Sequence, residues 1–216
     1  MIPIKDDNPR LAAPFVTIAF IVINVLVFFY ELNTGLAGVI NRFGLRPSVV
    51  VQGQNLETIF TSMFLHGGFM HLAGNMLYMW IFADNVEGYL GHGKFIVFYF
   101  LCGFAAVATH IFFSGFSTVP MVGASGAVSG VLGGYLIKYP RARVLVVIPI
   151  IYFLTVRKIP AFLVLGFWFL IQLFSGVGSL GYQGGGVAFW AHVGGFVAGI
   201  VLIHLFPAKR RVVSYF

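Results

Sequence analysis

The chain has 216 residues, of which 59% are hydrophobic and only 9% charged, and its mean hydropathy is +0.96. A water-soluble domain of this size carries roughly a quarter of its residues as charges, so a soluble enzyme or binding module is excluded and lipid is the expected solvent. The net charge of +7 falls in short clusters between apolar runs, a distribution that suits loop ends facing anionic lipid and not a nucleic-acid-binding face.

Residues 1–12 are polar and of mixed charge, without the basic start and early apolar run of a cleaved signal peptide. The first apolar run is therefore expected to stay as a membrane span. A span needs about 20 predominantly apolar residues, and six segments qualify: 13–32, 69–87, 95–114, 123–139, 160–178 and 188–206. The fourth is short and rich in glycine. The first connection, 33–68, is long and moderately apolar, and long connections without obvious elements are often functional; it is expected to lie partly in the membrane. Residues 144–156 are apolar but bracketed by Arg143 and Arg157 and interrupted by Pro149, so they read as an interfacial or re-entrant segment. Residues 207–216 form a basic tail. The single cysteine, Cys102, sits inside an apolar run, so no disulfide framework is expected. The fold class that follows is an all-α membrane protein, a six-helix bundle over 13–206.

Basic residues set the orientation of such a bundle. With six spans both termini share one side, and that side collects eleven of the thirteen Lys and Arg residues, leaving Arg42 and Arg46 for the other. Both termini are expected in the cytoplasm, across a plasma membrane of prokaryotic type.

Strongly polar groups inside spans are costly and mark function by default. His71 and Asn75 lie near the start of the second span, Ser125 near the start of the fourth, and His192 near the start of the sixth. All three spans enter from the outer side, and at 1.5 Å per residue these groups fall within about 10 Å of that boundary. The chemistry suits acyl transfer. Gly123-Ala124-Ser125-Gly126 puts a serine at a helix start, where unpaired N–H groups and the positive dipole end favour developing negative charge. A serine needs an adjacent base, for which His192 is the candidate. Gly195 and Gly199 lie on the face of His192, and Ser125, Ser129 and Gly133 form an answering stripe of small residues on the fourth span. His71 and Asn75, at i and i+4, could donate to an oxyanion. No carboxylate fits a third catalytic role: Asp84 and Glu87 lie about 20 Å from His71 along the second span, and Glu31 and Glu57 would need the outer connection to fold inward. A Ser–His dyad is expected. The His-Glu-x-x-His pattern of zinc proteases is absent, and no metal or cofactor is expected. His66 reads as a residue that ties down the outer connection, His110 as interfacial, and His92 and His204 as solvated.

These motifs, His66-x4-His71-x3-Asn75, Gly123-Ala124-Ser125-Gly126 and Ala191-His192-x2-Gly195-x3-Gly199, resemble those of the rhomboid family of intramembrane serine proteases, over nearly the whole chain. The segment from Asn85 to Lys94 is similar to that family's turn into its third span. The resemblance implies a six-helix bundle that cleaves membrane-anchored substrates near the outer face through Ser125 and His192, without cofactor. It also implies an oxyanion site from His71, Asn75 and the Ser125 N–H. A cap over 179–187 containing Gly184, Gly185 and Gly186, together with the fifth span and its Trp168, would form the gate. Two positions depart from the family pattern. Glu57 and Thr58 stand where many members have Trp-Arg, and Ser129 stands where some members stack an aromatic ring on the catalytic histidine. The alternative function class is a non-catalytic rhomboid-like protein that binds membrane clients.

Overall fold

The computed structural model describes residues 1–115, 117–150, 153–180 and 187–208. Its elements run β1 (Ile2–Asp6), α1 (Phe15–Thr34), α2 (Leu36–Phe43), α3 (Pro47–Val50), α4 (Thr58–Thr61), a 3-10 turn (Ser62–Phe64), α5 (Phe69–Leu90), α6 (His92–Ser114), α7 (Ser125–Lys138), β2 (Arg143–Ile150), β3 (Phe153–Pro160), α8 (Ala161–Gly178) and α9 (Phe189–Leu205). Each of the six apolar segments is a helix, with ends that shift by three residues or fewer. Three of them, α1, α6 and α8, are long and apolar enough to cross a membrane, and α9 is apolar but shorter. Large apolar side chains such as Leu26, Phe112, Phe174 and Leu205 point outward, as they do when the surroundings are hydrocarbon.

The expectation of an all-α chain is corrected by three strands. β2 and β3 form an antiparallel hairpin from Arg143↔Pro160 to Ile150↔Phe153, and β1 adds to the far edge of β2 in the order β1-β2-β3. Residues 144–150 and 153–156 therefore satisfy their backbone by pairing across the sheet rather than as a re-entrant segment. Val144 and Val146 turn into the core while Leu154 and Val156 stay outside, the alternation of a half-buried strand. The first connection is also more ordered than its sequence suggests, being built from α2, α3, α4 and the 3-10 turn. Glu31, fully buried at the end of α1, accepts the His66 N–H at 3.0 Å, and Leu45 pairs with Met121 through two backbone bonds. Glu57 precedes α4 without making a side-chain cap, and the Thr58 hydroxyl donates to the Asn55 carbonyl at 2.6 Å.

α7 sits in the middle, against α5, α6 and α9. Its 14 residues are rich in glycine and serine, and the stretch from Gly126 to Tyr135 is buried throughout. A Cβ added at Gly199 would overlap the Gly130 carbonyl, one at Gly195 the Gly126 carbonyl, and one at Gly133 the Phe196 carbonyl. Without an apolar driving force in lipid, such backbone-to-backbone contact is what holds helices together. The seam uses Gly195, Gly199 and Gly133 as the sequence suggests, but the partners on α7 are Gly126 and Gly130, each one step beyond Ser125 and Ser129. Ser129 instead faces the cavity described below, and its hydroxyl donates to the Ser125 carbonyl of its own helix at 2.6 Å.

The sheet end of the bundle is polar and densely bonded. Glu87 accepts the N–H groups of Val16 and Thr17 at 2.9 and 2.8 Å, and the Thr17 hydroxyl at 2.6 Å. A carboxylate at the start of α1 also answers that helix's positive end. His92 bonds Glu87 at 2.6 Å while its side chain stays 40% exposed, so it is anchored as well as solvated. Asp84 pairs with Arg10 at 2.8 Å. Asp6, on β1, accepts from Tyr135 and Asn85. Burial pushes its carboxyl up to about 6, opposed by the Tyr135 bond and helped by nearby Asp84.

Candidate active site

At the opposite end of α5 the polar groups converge. Gly123 is held in a left-handed backbone conformation, φ +128°, and donates its N–H to the Ser62 carbonyl at 2.8 Å. A side chain there would collide with the His71 ring, so only glycine lets the chain pass between His71 and the start of α7. That turn delivers Ser125 as the first residue of α7, with its backbone N–H among those a helix start leaves unpaired.

His192, in the first turn of α9, lies with Nε2 2.8 Å from the Ser125 Oγ and Nδ1 2.8 Å from the Gln172 side-chain oxygen on α8. The contact between Ser125 and His192 has the reach that proton transfer from a hydroxyl to a base requires. Trp168, one turn before Gln172, packs its ring 6.0 Å from the imidazole at a 34° tilt. Both residues come from α8, and Gln172 is the partner that sequence reasoning missed. The signal that could have found it is an amide within an otherwise apolar helix, as costly in lipid as the histidines are.

Ser125 and His192 open onto a cavity of about 580 Å³ that also exposes His71, Asn75, Trp168 and Leu132. The Asn75 side-chain nitrogen is buried and has no hydrogen-bond partner among the described residues. His71 Nδ1 receives a long bond, 3.4 Å, from the Gly67 N–H. In a neutral imidazole the remaining proton then sits on Nε2, the nitrogen that faces Gly123. Two donors are thus available beside the Ser125 hydroxyl. His66 lies behind, its ring edge-on to His71 at 5.1 Å. It is buried, and burial together with His71 lowers it to about 3, so that ring is neutral. His66 ties the loop through its backbone bond to Glu31, not through its ring. His110 pairs with Ser114 on its own helix. Gly184, Gly185 and Gly186 lie outside the described residues. No group of three or more His, Cys, Asp or Glu side chains suited to a metal occurs among the described residues.

The profile of the Rhomboid domain matches residues 53–209, a stretch that contains all four polar site residues. The chain belongs to the rhomboid family. Among relatives, it is similar to the Rhomboid protease GluP of Bacillus subtilis, with 33% identity over 127 residues, 57% of this chain and 24% of that protein. It shares 29% identity over 150 residues with Rhomboid protein 1, mitochondrial, of Saccharomyces cerevisiae, covering 67% of this chain and 40% of the relative. RHOMBOID-like protein 6, mitochondrial, of Arabidopsis thaliana matches at 30% over 153 residues, 71% of this chain and 44% of its own. This rhomboid thus spans under half the length of each of these relatives. Two of the three carry mitochondrial names, so family membership fixes a membrane protein without fixing which membrane.

Proposed function

We propose that this rhomboid is an intramembrane serine endopeptidase that cleaves membrane-anchored proteins within or beside their transmembrane segments. The observation that carries the reading is the 2.8 Å contact between His192 Nε2 and Ser125 Oγ at the mouth of a cavity holding unpartnered donors. In the first step the Ser125 oxygen bonds to a substrate carbonyl carbon while its proton passes to His192. The negative carbonyl oxygen is received by the Asn75 amide, the His71 Nε2–H and the Ser125 backbone N–H. The C–N bond then breaks as His192 returns the proton to the leaving amine. A water attacks the acyl-enzyme, giving its proton to His192, and Ser125 is regenerated when that proton comes back to its oxygen.

In this reading α5, α7 and α9 also cross the bilayer, making six spans over 13–206 with both termini in the cytoplasm and the site under the outer face. α8 with Trp168, and the cap containing Gly184, Gly185 and Gly186, admit the substrate. The charge pattern favours this orientation, and a prokaryotic plasma membrane is the compartment proposed with it. The test is incubation of purified protein with single-span substrates and with a fluorophosphonate, beside Ser125→Ala. Cleavage and covalent label that both vanish in the variant support the assignment. A folded protein that binds the substrates yet takes no label belongs instead with non-catalytic client-binding relatives.

A further inference from the structure

We infer that Gln172 is the positioning residue that fixes the tautomer of His192, its side-chain oxygen holding the proton on Nδ1 so that Nε2 stays free to take the Ser125 proton. The inference rests on the Ser125–His192 reading. A neutral imidazole carries one N–H. If that proton sat on Nε2, the ring would face Ser125 as a donor and could not act as a base. The proton belongs on Nδ1, which then needs an acceptor, because a buried N–H without one is costly. Gln172 supplies one at 2.8 Å.

Three further observations point the same way. The buried residues of α8 are Ala161, Val164, Leu165, Gln172 and Gly176, so Gln172 is the one polar side chain on its buried face. An amide in such a setting is costly unless it is bonded, and its bond goes to His192. Trp168, one turn earlier, flanks the same ring, so α8 steers the imidazole by edge and by face. Ser129, one turn after Ser125, spends its hydroxyl on its own backbone and leaves that task to α8.

A glutamine differs from the aspartate of a hydrolase triad because it fixes the tautomer without adding charge. The other titratable groups whose charge reaches the ring are His71 on α5 and His110 on α6. A carboxylate at position 172 would be the first anion there, and an anion within about 4–6 Å favours the imidazolium by roughly 1–3 pH units.

The experiment uses the full chain in detergent, labelled with ¹⁵N-histidine, as wild type, Gln172→Leu and Gln172→Glu, with His192→Ala to assign the signals and Ser125→Ala as control. Nitrogen shifts report the His192 tautomer, and the rate of fluorophosphonate labelling is followed against pH. Wild type is expected as the Nδ1–H form. Gln172→Leu should keep its melting temperature, lose that preference and label about 10–100-fold more slowly. Gln172→Glu should restore labelling at alkaline pH and move the acid limb of the profile upward by at least about one pH unit, which a purely structural role would not do. A leucine variant with the wild-type tautomer and rate overturns the inference, as does a glutamate variant with an unmoved acid limb. The glutamate profile decides alone if the leucine variant does not fold. Equal labelling of Ser125→Ala would instead sink the nucleophile assignment. Normal labelling of Gln172→Leu beside a silent Ser125→Ala sinks Gln172 only.

Discussion

The two ends of α5 carry equally improbable cargo for an apolar bundle and treat it in opposite ways. At the sheet end Asp84 and Glu87 are buried, and their oxygens meet Arg10, Asn85, Val16, Thr17 and His92. At the other end Asn75 keeps a buried donor with no partner, and both ring nitrogens of His66 are likewise without one among the described residues. Buried polar groups are stable when bonded and costly when not. At the sheet end the carboxylates are bonded and hold the fold, although Asn85 Oδ1 has no partner among the described residues; at the other end it is donors beside the cavity that lack partners, as the proposed oxyanion role requires.

This contrast can be broken by substitution. The largest effect belongs to the open end. Ser125→Ala and His192→Ala should each lower cleavage of a single-span substrate by on the order of 10⁴-fold or more, with an unchanged melting temperature in detergent. Asn75→Ala should cost about 10²–10³-fold in turnover, or ~3–4 kcal/mol of transition-state binding, and leave stability the same or slightly higher, since an unpaired donor is removed. An undiminished rate would remove Asn75 from the oxyanion site. At the sheet end the signs reverse. Glu87→Ala strands the N–H groups of Val16 and Thr17 and should destabilise by about 3 kcal/mol, read by thermal denaturation, while the fraction that remains folded takes label at the normal rate.

The smallest effect concerns Asp6. Its carboxyl titrates near 6 in the fold against an ordinary 3.8, so the folded state prefers the protonated form. Its contribution is fully present below about pH 4 and is lost as the pH rises through about 6. Asp6 is partly exposed, so the gain on going from pH 7.5 to 5 should be well under ~1.4 kcal/mol, the free energy of a tenfold change in proton affinity. Asp6→Asn should flatten this part of the curve, and an equal slope in the variant would assign the dependence to another group.

Much of the bundle is legible in the sequence because lipid permits so few solutions: apolar runs of the right length become helices, and their ends follow from flanking charge and glycine. Ser125, His192, His71 and Asn75 stand out for the same reason, since polar groups are scarce where they lie. What escaped depends on distance along the chain. The run 144–156 reads as one apolar stretch without polar alternation, interrupted by Pro149, and β1, the partner on the far edge of β2, lies about 140 residues earlier. Gln172 is one amide in a phenylalanine-rich helix, and only the fold brings it to a histidine 20 residues away. Glu31 was visible as a charge at a span's end, but its partner is a backbone N–H in the loop, which no residue pattern announces.

The junction between the hairpin and α8 has a mechanical consequence. The first turn of that helix is stitched down, Ala161 N–H to the Ala142 carbonyl at 2.8 Å and Phe162 N–H to the Pro140 carbonyl at 3.1 Å, while Phe167, Leu170 and Phe174 along its length face outward. A rod pinned at one end swings most at the other. Gln172 lies about 16 Å from the pivot, so a tilt of only ~10° displaces it by about 3 Å, more than enough to part it from His192. If α8 leans outward to admit a substrate, as proposed above, the same tilt would part Gln172 from His192, and the base would recover its partner only on the return swing.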